Sequence, residues 1–128
     1  MSDHANVLHA AADLVTAFAA NNRKAYFDAF SVDATFVFYN LEKPLLSRDA
    51  WQALWDSWRL DGFEILSCHS SHQQVNLLGD TAIFLHDVTT ELRVQGEQSV
   101  SHERETIVFA RQASGEWLAV HEHLSAIP

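Results

Sequence analysis

The stretch that decides the fold is the second half of the chain, GFEILSCHSSHQQVNLLGDTAIFLHDVTTELRVQGEQSVSHERETIVFARQASGEWLAVHEHLS, residues 62–125. It divides into four runs, 63–78, 80–95, 98–112 and 116–125, each with the β-branched, aromatic and alternating character of a strand. Gly79, Gly96 and Gly115 fall at the junctions, where tight turns often need a positive φ. Long strands joined by such turns pair with their sequence neighbours, which predicts an antiparallel sheet.

Upstream of this block the apolar period changes. Val7, Leu8, Ala11, Leu14, Val15 and Phe18 recur at three- and four-residue spacing, the signature of a helix with one buried face. Ser2 or Asp3 can cap its start, and Asn21-Asn22 supply a stop. Asn22 can also cap a second, short helix that buries Tyr26, Phe27 and Phe30. Asp33-Ala-Thr reads as a turn into a strand at Phe36-Val-Phe-Tyr39, and Pro44 marks the loop after it. A third helix starts near Ser47, with Asp49 in its first turn and Trp51, Leu54, Trp55 and Trp58 along one face, and Gly62 ends it. Helices followed by strands predict an α+β fold. For three short helices to cover strands this long the sheet must bend, giving a cone-shaped, curved antiparallel sheet wrapped around three N-terminal helices. No repeat, low-complexity segment or linker interrupts it, so residues 1–128 form one domain.

Composition narrows the partners. A net charge of −9 argues against nucleic acid or an anionic membrane, both of which need a concentrated basic surface. Protonating all eight histidines would add eight charges to −9 and leave −1, so the charge state is sensitive to pH. A single cysteine, Cys68, allows neither an internal disulfide nor a Cys-rich zinc site. The opening MSDHANVLHA lacks the pattern of a secretory signal, and no apolar run approaches the ~20 residues of a membrane span, so a cytoplasmic location is expected. Without a P-loop, dinucleotide fingerprint or nucleophile elbow, no cofactor is expected either.

Arg104-x-Thr106-Ile-Val-Phe-Ala-Arg111 followed by Gly115-x-Trp117-x-x-Val120-His121-x-His123-x-Ser125, together with the element order, resembles SnoaL-like proteins of the nuclear-transport-factor-2-like superfamily. That superfamily includes ketosteroid isomerase and the association domain of calcium/calmodulin-dependent kinase. The resemblance implies a homodimer packed through sheet faces and a pocket between the concave face and the helices. In the isomerase's register the catalytic Asp would fall near Phe38, which cannot abstract a proton. The basic pocket positions of the association domain align approximately with His86, Ile107 and Leu124, of which two are aliphatic here.

Strict alternation sorts the strands into faces. It assigns Leu118, Val120, Glu122 and Leu124 to the interior, with Ile107, Phe109, Phe84, His86 and Val88 from the neighbouring strands and Glu105 near the rim. Tyr26 and Phe38 join this wall, and Trp51 or Trp55 lines its mouth. Apolar walls with sparse polar groups suit a small organic ligand. His86 and Glu122 are the candidate catalytic pair, because burial and mutual charge set the pKa values that acid–base transfer requires. Each has a structural alternative: Glu122 satisfied by a neighbour or an interface, His86 satisfied at a sheet face. His121-x-His123 is better explained by hydrogen bonding at the sheet or dimer face than by a metal, and Cys68 is read as an inert, part-buried thiol. The resulting expectation is a pocket protein, acting as a cofactor-free acid–base enzyme of isomerase, cyclase or hydratase type on a small carbonyl or polycyclic compound. The alternatives are a non-catalytic ligand-binding or oligomerisation domain, and a cone closed by Phe36, Phe38, Phe84 and Phe109.

Overall fold

The computed structural model describes residues 2–128. Two capped helices, one strand and a third capped helix precede the block of four long strands. α1, Asp3–Ala19, is capped by Ser2, whose hydroxyl accepts from the Ala5 amide. Asn22 does the same for α2, Arg23–Asp28, by accepting from Ala25, and Ser47 for α3, Arg48–Leu60, by accepting from Ala50. Gly62 ends α3 with φ +88°, and a Cβ there would lie 3.2 Å from the Gln95 backbone nitrogen, so both conformation and space call for glycine.

The strands are β1, Phe30–Phe38; β2, Phe63–Leu78; β3, Thr81–Val94; β4, Glu97–Arg111; and β5, Trp117–Ala126. They form one open, curved sheet in the order β1-β5-β4-β3-β2. The hairpins β2–β3–β4–β5 are antiparallel as the glycine spacing predicts. β1 is different: it runs parallel to β5, so the sheet is mixed. β1 also begins at Phe30, earlier than the Asp33 turn expected from the sequence, because a register irregularity between Phe30 and Thr35 lets the chain carry Asp33 within the strand.

The core lies between this sheet and the helices. Val7, Ala11 and Leu14 of α1, Tyr26 and Phe27 of α2 and Trp51 and Trp55 of α3 pack onto Phe30, Phe36, Phe84, Ile107 and Phe109 of the sheet. Most of the rings meet edge-on or tilted, Trp51 and Trp55 at 5.9 Å between centroids and Phe27 and Trp55 at 5.6 Å, while Tyr26 stacks on Trp55 at 5.4 Å. Such geometry adds roughly 0.5–1.5 kcal/mol per pair beyond area burial.

One local departure repositions part of the expected site. The β4–β5 register shifts between Val108, paired with His121, and Phe109, paired with Ala119, leaving Val120 as the extra residue. Before the bulge the covered residues are therefore Trp117 and Ala119, and after it Glu122. The expectation that Leu118 and Val120 face the interior is corrected: both are only half-buried and neither lines the cavity.

Candidate functional site

Between the concave sheet face and the helices lies a cavity of about 180 Å³. Tyr26, Phe38, Trp51, His86, Val88, Glu105, Glu122 and Leu124, all expected there from the sequence, line it. Trp55, Phe84, Ile107 and Phe109 were expected on its wall but do not line it: they are buried in the core, behind the layer that meets the cavity. The phenyl groups of Phe36, Phe84 and Phe109 thus fill the deep end without closing the cone.

The polar groups form one connected chain. Ser70 on β2, His86 on β3, Glu105 on β4 and Glu122 on β5 occupy successive strands. His86 stands directly opposite Glu105 in register, while Glu122 is opposite Ile107, one diagonal step from Glu105. His86 is 1%, Glu122 5% and Glu105 8% exposed, so each must find its partners inside the protein. Glu105, placed near the rim by the sequence, is instead the centre of the network.

Donor and acceptor roles follow from the contacts. The Gln73 amide donates to Ser70 Oγ at 2.9 Å, and the Ser70 hydroxyl, 2.6 Å from His86 Nδ1, donates to it in the tautomer that turns Nε2–H toward the acidic Glu105. His86 then carries its proton on Nε2 and donates it to Glu105 Oε1 at 2.6 Å. Burial pushes the His86 pKa down to about 4, against the opposing pull of Glu122 and Asp87, so the ring is neutral at pH 7. At the other end, Trp51 Nε1–H donates to Tyr26 Oη at 3.1 Å, and the Tyr26 hydroxyl is directed at Glu122 Oε2 at 3.4 Å.

The Glu105 and Glu122 carboxyl groups lie one diagonal step apart on adjacent strands, near enough for a hydrogen bond between them once one is protonated. Burial raises both groups above the usual carboxyl range. Glu122 rises further because the Glu105 charge and the hydrogen bond to Glu105 both favour its protonated form. The same hydrogen bond draws Glu105 back down. Of the two, Glu122 is the group that burial and its neighbour favour as the proton holder, while Glu105 accepts from His86 Nε2–H. The sequence predicted a His86–Glu122 pair; the structure inserts Glu105 between them.

Nearer the mouth is a second polar group that sequence reasoning missed. Half-exposed Tyr39 donates to Glu103 Oε2 at 2.7 Å, and Ser101 donates to Glu103 Oε1 at 3.2 Å. The hydrogen bond to Glu103, with burial and the Glu103 charge, pushes the Tyr39 pKa up to about 12. Ser101 and Glu103 lie on the same alternation as Glu105 and Ile107, so that strand's period contained the signal. Cys68 also lines the cavity; burial pushes its thiol up to about 11, and Thr90 donates to its sulfur at 3.7 Å.

His121 Nδ1 and Thr35 Oγ1 are 2.8 Å apart, on the half-buried side of β1 and β5. Among the described residues no group of three His, Cys, Asp or Glu side chains is arranged to hold a metal ion, and no helix is long and apolar enough to cross a membrane.

The fold recurs among solved structures. A nuclear-transport-factor-2-like protein from Cytophaga hutchinsonii aligns over 99% of this chain and 100% of its own, with a TM-score of 0.84 and 15% identity. A Xanthomonas campestris protein described as a calcium/calmodulin-dependent protein kinase II association domain aligns over 100% of this chain and 90% of its own, with a TM-score of 0.82 and 21% identity. A ketosteroid isomerase-like protein from Erwinia carotovora aligns over 97% of this chain and 95% of its own, with a TM-score of 0.81 and 16% identity. At these identities the likeness establishes the fold alone. No curated protein matches the sequence. The model of the SnoaL-like domain matches residues 7–128, nearly the whole sheet-and-helix unit that encloses the cavity, and the chain belongs to the SnoaL-like domain family.

Proposed function

We propose that the protein is a cofactor-free acid–base enzyme acting on a small carbonyl compound held in the cavity. The observation that carries this reading is two buried carboxyl groups, Glu105 and Glu122, side by side on adjacent strands on the wall of a largely apolar cavity. Glu105 takes a proton from the carbon next to the carbonyl. The C–H electron pair becomes the enol C=C bond, and Glu122 gives its proton to the carbonyl oxygen. Returning both protons, to the same carbon or to one in conjugation, restores the starting pair, so no other reactant is consumed. Both ring nitrogens of His86 are already engaged, so it serves by holding the charge on Glu105 while the surrounding rings exclude water. A volume of about 180 Å³ favours a compact substrate over a polycyclic one, since a cavity of ~150 Å³ holds benzene.

The test is deuterium exchange at the α-carbon of small cyclic and β-dicarbonyl compounds in D2O, followed by NMR. Wild type should accelerate exchange of at least one compound, and Glu122→Gln should abolish the acceleration while keeping a native circular dichroism spectrum. Equal exchange by the variant would remove Glu122 from the mechanism.

The same reading has the chain acting as a homodimer through the uncovered face of the sheet, within the cytoplasm. Leu85 on that face is 38% exposed, beside half-buried Ile83 and Val108. A purely assembling or ligand-capturing role is the second reading, favoured by the likeness to the association-domain structure. Light scattering separates them in part, because a large ring would favour assembly over a simple dimeric enzyme.

A further inference from the structure

We propose that the cavity selects a compact organic cation: a protonated or quaternary amine on a frame of about one ring. The inference rests on the preceding reading only in taking the cavity as a binding site, and it does not depend on catalysis.

The lining is one-sided in charge. Glu103, Glu105 and Glu122 reach the cavity, and among the described lining residues none is Lys or Arg. The one lining histidine, His86, is neutral at pH 7. The partners of the carboxyl pair are therefore N–H and O–H dipoles, and no counter-ion stands opposite it among the described lining residues. Among the described residues Glu103 likewise accepts from the hydroxyls of Tyr39 and Ser101 and from no cationic side chain. A buried charge without an opposite charge is costly, and a cation entering the cavity would supply it.

The second observation is independent of charge. Trp51, Trp58, Phe38 and Phe63 form a connected aromatic wall, with centroid separations of 5.0 Å for Phe38–Trp51, 5.2 Å for Trp51–Trp58 and 5.4 Å for Trp58–Phe63. Aromatic faces attract ammonium groups and favour methylated amines, which are weakly hydrated. A carboxylate ligand would meet the same faces and the same three acidic side chains with the wrong sign. A neutral ligand would gain the apolar contact alone.

Three ligands of nearly equal size test this: benzylamine, benzyl alcohol and benzoate, titrated at pH 7.5 against the intact protein by tryptophan fluorescence. Slower alkylation of Cys68, which lines the cavity, locates the binding. Benzylamine should bind about tenfold more tightly than benzyl alcohol, with benzoate weakest. Glu103→Gln should reduce the ratio of benzylamine to benzyl alcohol affinity, and an unchanged ratio would remove Glu103 from the selection. Benzyl alcohol or benzoate binding as tightly as benzylamine, with Cys68 protected, would overturn the charge selection while the cavity remains a binding site. Failure of all three to bind or to protect Cys68 would overturn both.

Discussion

Glu105 and Glu122 sit on adjacent antiparallel strands, one diagonal step apart in register, both buried on the covered face of the sheet, where burial and the nearby Glu105 raise the preference of Glu122 for a proton. Neither has a cationic partner among the described residues, so a proton does the work that an arginine does in an ordinary buried pair. That single proton ties the stability of the fold to pH and gives the cavity its one strong acid–base couple.

The first consequence is alkaline sensitivity. Glu122 has its pKa raised in the folded state, so its contribution to stability is complete below the unfolded value of about 4.3 and is lost as pH rises through the folded value. Glu122→Gln keeps an N–H donor toward Glu105 and cannot ionise. The variant should therefore gain on wild type as pH rises, reaching about 1–3 kcal/mol at the alkaline end of the profile. Urea unfolding of both proteins across this range measures it, and parallel profiles would contradict a shared proton.

Acid acts through His86. Its pKa falls from about 6.5 unfolded to about 4 folded, so its stabilisation is fully present above about 6.5 and is lost as pH falls through about 4. A shift of that size corresponds to about 3 kcal/mol between the two limits. His86→Gln, which can still bridge Ser70 and Glu105, should be less stable than wild type at pH 7 and should show a shallower decline toward pH 4. An unchanged decline would place the acid sensitivity elsewhere.

The division between core and cavity wall has its own signature. Trp55 is 2% exposed and encircled by Phe18, Tyr26, Phe27 and Phe63, so Trp55→Ala should cost about 3–5 kcal/mol. Trp58 is only half-buried and faces the cavity, so Trp58→Ala should cost less than half as much while weakening ligand binding. Chemical denaturation of both variants decides this, and equal losses would mean that Trp58 is a core residue.

These residues also show what the sequence could and could not reveal. The caps Ser2, Asn22 and Ser47 and the glycines between strands were legible because each meets a local chemical need: an unpaired helix N–H or a positive φ. The period of two placed His86 and Glu105 on the covered face, since both lie on strands whose pairing is uninterrupted there. It failed at Val120 because a bulge adds one residue without changing composition, and every assignment on the N-terminal side of it reversed. Depth was equally hidden. Alternation gives the face of a side chain but not its distance from the rim, which is why Glu105 was placed near the edge and Phe84 and Ile107 on the wall. The parallel pairing of β1 depends on where a distant strand returns, and nothing local to Phe30–Phe38 encodes it.

The outer face carries the last prediction. His121 is half-buried there, with Nδ1 2.8 Å from Thr35 Oγ1 and the His123 ring 6.4 Å away between centroids. Burial lowers the His121 pKa, and the like charge of His123 lowers it further. The proposed dimer through this face would bury His121 more deeply and prefer it neutral. The preference is therefore satisfied above its unfolded value of about 6.5 and lost as pH falls through the lowered folded value. Association should weaken by about tenfold between pH 8 and about 5.5 as the His121 imidazole charges. His121→Gln, which retains a partner for Thr35, should remove most of that dependence while keeping the dimer at pH 8. Sedimentation velocity at the two pH values measures both proteins, and a wild-type profile that does not move would exclude His121 from the interface.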